Sequence, residues 1–137
     1  MTVSLDTNVV IDLIRGRAPT VRSSFDAARQ ENTPLRLSLI VWHELACGVR
    51  RSVNPKRAKQ VLQLLIGDIP IEPLDLADVE AAAAVRDDLQ RTGLPIGAYD
   101  ALIAGQALNR GWTVATANVR EFGRIDGLAV EDWSRAQ

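Results

Sequence analysis

The chain has 137 residues, 47% hydrophobic and 24% charged, which suits a single globular domain over 1–137 and excludes a fibrous or low-complexity protein. A formal net charge of −1 excludes a uniformly basic nucleic-acid binder, and no apolar run approaches the ~20 residues that span a bilayer. The one cysteine, Cys47, excludes an internal disulfide framework; with no basic-then-apolar leader pattern at the N-terminus, a reducing, cytoplasmic setting is expected.

Strand-like and helix-like segments alternate, the pattern of an α/β domain with a central, mostly parallel sheet flanked by helices. Val3-Ser-Leu5 reads as a short buried strand. Thr7 or Asn8 is placed to cap a helix with the apolar face Val10, Ile11, Leu13 and Ile14, stopped by Gly16 and Pro19. A second helix is expected over 20–31, a strand over Leu35–Ile40, and a helix through Glu44 to Arg51. Pro55 starts the next helix, with Val61, Leu62, Leu64 and Leu65 apolar. The proline-flanked Ile69–Pro73 is an edge strand at most. Leu76–Leu89 carries Ala81–Ala84, which favours helix and close packing, with Asp75 or Asp78 as its cap. Gly93–Gly97 is a loop, and the helix after it ends near Gly111. Trp112–Thr116 is the last core strand, and Leu128–Val130 a further edge strand.

Three acids punctuate this pattern. Asp6 closes the first strand, Glu44 follows the second, and Asp100 opens the helix Ala101–Leu108. Parallel α/β sheets bind ligands at the carboxyl ends of their strands. Carboxylates gathered there repel one another unless a divalent cation joins them. Each has a plainer reading. Asp6 is a helix cap, Glu44 rides a helix edge beside Val41 and Gly48, and Asp100 gains from the helix dipole. Against the first stands the cost of an aspartate flush with an apolar strand, and Thr7 and Asn8 are alternative caps. Their expected convergence points to metal-dependent phosphodiester chemistry.

The charges are unevenly placed. Arg15, Arg17, Arg22, Arg29, Arg36, Arg50, Arg51, Lys56, Arg57 and Lys59 precede the midpoint, while Asp68 to Asp88 is acidic. A basic patch beside an acidic pocket suits RNA cut by a metal. Solvation of helix faces is the plainer explanation for any one of these residues.

The motifs Leu5-Asp6-Thr7-Asn8, Ser38 to Glu44-Leu45, Tyr99-Asp100-Ala101-Leu102-Ile103-Ala104 and Thr116-Ala-Asn118 to Glu121-Phe122 follow in order along the chain. In these the sequence resembles PIN-domain proteins, and among them the VapC-type toxins of bacterial toxin–antitoxin pairs. The resemblance runs from Ser4 to Trp133. It implies a PIN-like domain and a Mg²⁺- or Mn²⁺-dependent endoribonuclease in which Asp6, Glu44 and Asp100 hold the metal. Thr116 and Asn118 would complete the site after the last strand. Many relatives carry aspartate where this chain has Asn118; asparagine offers a neutral oxygen, and Glu121 is placed to supply the missing charge. Ser38 and Thr7 are expected to support the carboxylates by hydrogen bonds. A cognate VapB-like antitoxin, presenting an arginine to the acids, and a homodimer are implied as well. Helices before residue 66, with Val61 and Leu65 at their edges, are expected antitoxin contacts. Arg15, Arg17, Arg50 and Arg51 are candidates for RNA phosphates, with transfer, ribosomal and messenger RNA all open.

Other readings are weaker. His43-Glu44-Leu-Ala-Cys47 has a cysteine where the zinc-protease helix wants its second histidine, and His43 is the only histidine. Cys47 reads as a packing residue. The only lysines, Lys56 and Lys59, fit neither a Walker loop nor a receiver domain. The alternative from a different class is a non-catalytic RNA- or metal-binding regulatory module on the same scaffold, motivated by Asn118.

Overall fold

In a computed structural model that describes residues 1–135, five parallel strands run in the order β3-β2-β1-β4-β5. β1 (Val3–Leu5) is central because all three of its residues are buried on both faces. It pairs on one side with β2 (Leu35–Ser38) and on the other with β4 (Thr113–Thr116). β3 (Ile71–Glu72) and β5 (Ala129–Asp132) are the edges, both half-exposed. The proline-flanked segment is thus the short edge strand its composition indicates.

The chain winds outward from β1 to β3, then crosses to build β4 and β5. The order therefore reverses between β1 and β4, and such a switch point opens a crevice at the strand ends. Asp6 and Thr116 are the residues at that crevice, with the Asp6 N–H donating to Ala115 O at 2.9 Å.

Among the described residues seven helices cover the sheet: α1 (Thr7–Arg15), α2 (Pro19–Gln30), α3 (Leu39–Arg51), α4 (Pro55–Ile66), α5 (Leu76–Arg91), α6 (Ala98–Arg110) and the short α7 (Val119–Phe122), which its sequence did not announce. The cap of α1 is Asp6 itself, which accepts from the Thr7 N–H at 2.8 Å, and not Thr7 or Asn8. The second strand stops at Ser38 instead of Ile40, because the Ser38 hydroxyl accepts from the Ile40 N–H and starts α3 two residues early. Asp75 and Asp78 both act at the start of α5, each carboxylate taking the other's N–H at 2.9 Å. No helix among the described residues is long and apolar enough to cross a membrane.

α5 and α6 approach unusually closely. A Cβ at Gly105 would stand 2.4 Å from Ala82 N, so only glycine fits. The alanine run serves this contact within the chain: Ala82 is buried against α6, while Ala83 and Ala84 face outward. One polar hub fixes the pair. Asp78 is buried and accepts from Asn109 Nδ2 at 2.9 Å and from Arg110 at 2.7 and 3.2 Å. Burial opposes its charge, but Arg110, the Asp75 N–H and Asn109 outweigh that and hold the carboxyl at about 2. Since α6 begins with the residues around Asp100, this hub also sets that acid's position.

Candidate active site

The site assembles where β1 and β4 end, from those ends and from residues of α1, α3, α6 and α7. Asp6 is 4% exposed, and each of its oxygens is held. Oδ1 accepts from the Thr7 N–H, and Oδ2 accepts from the Thr116 hydroxyl at 2.8 Å. The same hydroxyl accepts from the Asn118 N–H at 2.9 Å. Burial raises the Asp6 carboxyl above its usual range, the Thr116 and Thr7 hydrogen bonds work against that, and the charges of Glu44 and Glu121 add to the rise.

Glu44 reaches the crevice from the first half of α3. Its Oε1 accepts from the Thr7 hydroxyl at 2.8 Å, leaving Oε2 for another partner. Asn8 ties α1 to the turn after β4, its Oδ1 accepting from the Ala117 N–H at 3.3 Å. Asn118 donates its side-chain amide to Glu121 Oε2 at 2.8 Å, which holds the Glu121 carboxylate beside the other acids.

Asp100 sits in the first turn of α6, behind Gly97, a cap with no side chain to satisfy the helix end. A helix N-terminus favours the charged acid, but here the opposing forces win. Burial, then the charges of Asp6 and Glu121, contact with Glu121, and the charge of Glu44 push Asp100 up to about 7. Four carboxylates thus meet at one rim, and each of the other three raises Asp100. They stand as an open rim: among the described residues, no three acidic, histidine or cysteine side chains close into a metal-ligating group.

Of the residues singled out from sequence, Asp6, Glu44, Asp100, Thr7, Asn8, Thr116, Asn118 and Glu121 come together. Ser38 does not join them; it is fully buried, and its hydroxyl caps α3 instead of a carboxylate. Arg15, Arg17, Arg50 and Arg51 are exposed and make no ion pair among the described residues. Arg15 lines a groove with Glu44, Ile11, Ile14 and Leu45. Three of the other first-half arginines are already paired: Arg22 with Asp26, Arg29 with Asp68 and Arg36 with Glu72. The basic half of the chain therefore presents a narrower patch than its composition implies. Val61 and Leu65 are half-buried, Leu65 packing against the core, whereas Leu64 is 86% exposed.

Sequence reasoning missed two features here. The Glu121–Asp100 contact depends on α7 turning Glu121 back over the rim, and no periodicity announces a four-residue helix. The other is a ring pair at the rim: Tyr99 Oη lies 3.3 Å from His43 Nε2. Cys47 Sγ is 3.9 Å from the same nitrogen.

Over residues 3–128 the chain matches the PIN domain family. It is 35% identical over 130 residues to the tRNA(fMet)-specific endonuclease VapC of Shigella flexneri, covering 95% of this chain and 96% of that one. It is 29% identical over 135 residues to Ribonuclease VapC2 of Rickettsia felis, covering 98% and 100%. Among solved structures, VapBC from Salmonella typhimurium bound to DNA superimposes with a TM-score of 0.86 at 34% identity, over 97% of this chain and 98% of that one. VapBC2 from Rickettsia felis bound to promoter DNA gives 0.89 at 28% identity, over 97% and 99%.

Proposed function

The chain belongs to the PIN-domain family, and we propose that it is a divalent-metal-dependent endoribonuclease, the toxin of a toxin–antitoxin pair. The observation that carries this reading is the meeting of Asp6, Glu44, Asp100 and Glu121 at the switch point, with Asp100 pushed up to about 7 by burial and its neighbours. Such mutual repulsion persists in a fold when something positive relieves it.

The donors suit Mg²⁺ or Mn²⁺: they are hard carboxylate oxygens, and the nearby His43 nitrogen faces Tyr99. Asp6, Glu44 and Asp100 would hold the ion, with Asn118 contributing a neutral oxygen and Glu121 a further charge. When bound, the ion lowers the pKa of water and offsets charge on the phosphate. The chain's own residues do the rest. Thr116 and Thr7 lock the first two carboxylates through Asp6 Oδ2 and Glu44 Oε1, so both are set at the crevice without reorganisation. One of the rim carboxylates, Asp100 or Glu44, would orient the attacking water and take its proton. Arg15, on the groove that also contains Glu44, is positioned for an RNA phosphate.

The likeness to tRNA(fMet)-specific endonucleases makes transfer RNA the first substrate to test. The groove of Ile11, Ile14, Arg15, Glu44, Leu45 and Leu62 between α1, α3 and α4 suits an apolar antitoxin segment that ends in an arginine at the acids. Homodimerisation is supported by Leu76 and Val79, which stand exposed on α5. The lone Cys47 supports a reducing, cytoplasmic location.

The test is incubation of purified protein with transfer RNA in Mg²⁺ or Mn²⁺, beside EDTA and Glu44→Gln. Internal cuts lost in both controls support the nuclease. RNA bound without cleavage in either metal would move the reading to the regulatory module.

A further inference from the structure

The chain has one tyrosine, two phenylalanines and three tryptophans. Phe25, Phe122 and Trp133 are buried, and Trp42 and Trp112 pack against the core. Tyr99 is different. It is 48% exposed and stands one residue before Asp100 in the first turn of α6. Together with Glu44, Gly97, Ala98 and Asp100 it lines an open cavity of about 330 Å³ at the rim of the acids.

The ring is braced. Tyr99 and His43 meet edge to face, with centroids 5.6 Å apart and planes at 87°. The Tyr99 hydroxyl lies 3.3 Å from His43 Nε2. A tethered ring has already lost the rotamer freedom that binding would otherwise remove. Its surroundings are anionic, so the phosphates of an incoming strand are repelled before any cation offsets the acids. An exposed aromatic ring can hold RNA there without relying on phosphate charge, by engaging a base face.

We propose that Tyr99, braced by His43, is a stacking platform for an unpaired base next to the phosphodiester that the acids cut. The proposal rests on the nuclease reading above. A base face is available in loops, bulges and ends and hidden in a duplex, so the platform selects single-stranded segments. Every base has a π-face, so it tolerates any base at that position.

The test compares wild type with Tyr99→Ala, Tyr99→Phe and His43→Ala. Cleavage of transfer RNA in Mg²⁺ is measured beside fluorescence quenching of a single-stranded oligoribonucleotide containing 2-aminopurine, bound in Ca²⁺. Tyr99→Ala is expected to lower kcat/KM about 5- to 100-fold, mainly through KM, and to abolish quenching. Tyr99→Phe is expected to keep both within about 3-fold, and His43→Ala to fall between, since each stacking contact is worth that range. Tyr99→Ala cutting and quenching like wild type overturns the proposal. So does Tyr99→Phe failing as badly as alanine, or Tyr99→Ala losing only self-association or protein-partner binding. Quenching by a wild type that cuts no RNA counts against the nuclease reading and leaves the platform standing.

Discussion

Thr116, at the end of β4, donates its hydroxyl hydrogen to Asp6 Oδ2 at 2.8 Å, joining residues 110 apart in sequence across the switch point of the sheet. It also accepts from the Asn118 N–H, so one hydroxyl fixes a carboxylate and the turn that carries Glu121. Thr116→Val keeps the shape and removes both bonds. RNA cleavage is expected to fall about 10- to 100-fold, the usual effect of losing a partner behind a ligating carboxylate. Stability should fall by roughly 1–3 kcal/mol, because Asp6 Oδ2 is left buried and unpaired. Steady-state kinetics and thermal melting check the two effects separately.

Asp100 makes stability depend on pH with a definite sign. Burial, together with Asp6, Glu121 and Glu44, raises it to about 7 from an ordinary 3.8. Between those values the folded protein holds a proton that the unfolded chain has released, so stability is full below about pH 4 and is lost as pH rises through 7. Asp100→Asn removes that loss. In EDTA at pH 8 it is expected to melt a few degrees above wild type, on the order of 1 kcal/mol after discounting for solvent screening. At pH 5 the gap should shrink. Melting curves at both pH values, with and without Mg²⁺, measure it, and Mg²⁺ should stabilise wild type more than the variant.

Asp78 behaves in the opposite sense. Despite burial, the Arg110 guanidinium, the Asp75 N–H and Asn109 hold it at about 2, so its contribution is present above pH 3.8 and is lost as pH falls through 2. Arg110→Ala leaves a buried carboxylate without its cation and is expected to cost about 3 kcal/mol at pH 7. Asp78→Asn combined with Arg110→Ala should cost less than the single change. A double-mutant cycle by urea denaturation checks this.

Gly105 permits the contact of α5 with α6. Gly105→Ala puts a methyl group 2.4 Å from Ala82 N, which is backbone and cannot turn aside. The helices must part, at about 1–3 kcal/mol. Because α6 carries Asp100, activity should drop as well, and Gly105→Ala protein should show faster hydrogen exchange in α5 and α6 than wild type.

Much of this rim is legible in the sequence. Period and turn chemistry located the strands well enough to bring Asp6, Glu44 and Asp100 to one rim, because parallel topology leaves few other places for them. What escaped was local competition for hydrogen bonds. Ser38 is expected from sequence to support the carboxylates, but α3 starts at Leu39 and its hydroxyl is taken up as that helix's cap. Asp6 is both the cap of α1 and one of the four acids at the rim, since a carboxylate has two oxygens and each found its own donor. The Asp78–Arg110 hub was invisible because its members lie 32 residues apart on two helices whose facing sides depend on Gly105. The ring pair of His43 and Tyr99 was hidden for the same reason, being 56 residues apart.

The most direct measurement is the rate of transfer RNA cleavage against Mg²⁺ concentration for wild type and Asp100→Asn, with the bound ion counted by calorimetry in the same preparations. Wild type should cut with saturable Mg²⁺ dependence, and Asp100→Asn should lose at least about 100-fold in rate, as expected when a general base or ligand at the reacting centre is removed. Cleavage that ignores Mg²⁺, or that Asp100→Asn carries out at the wild-type rate, would contradict the assignment of these acids as the catalytic centre.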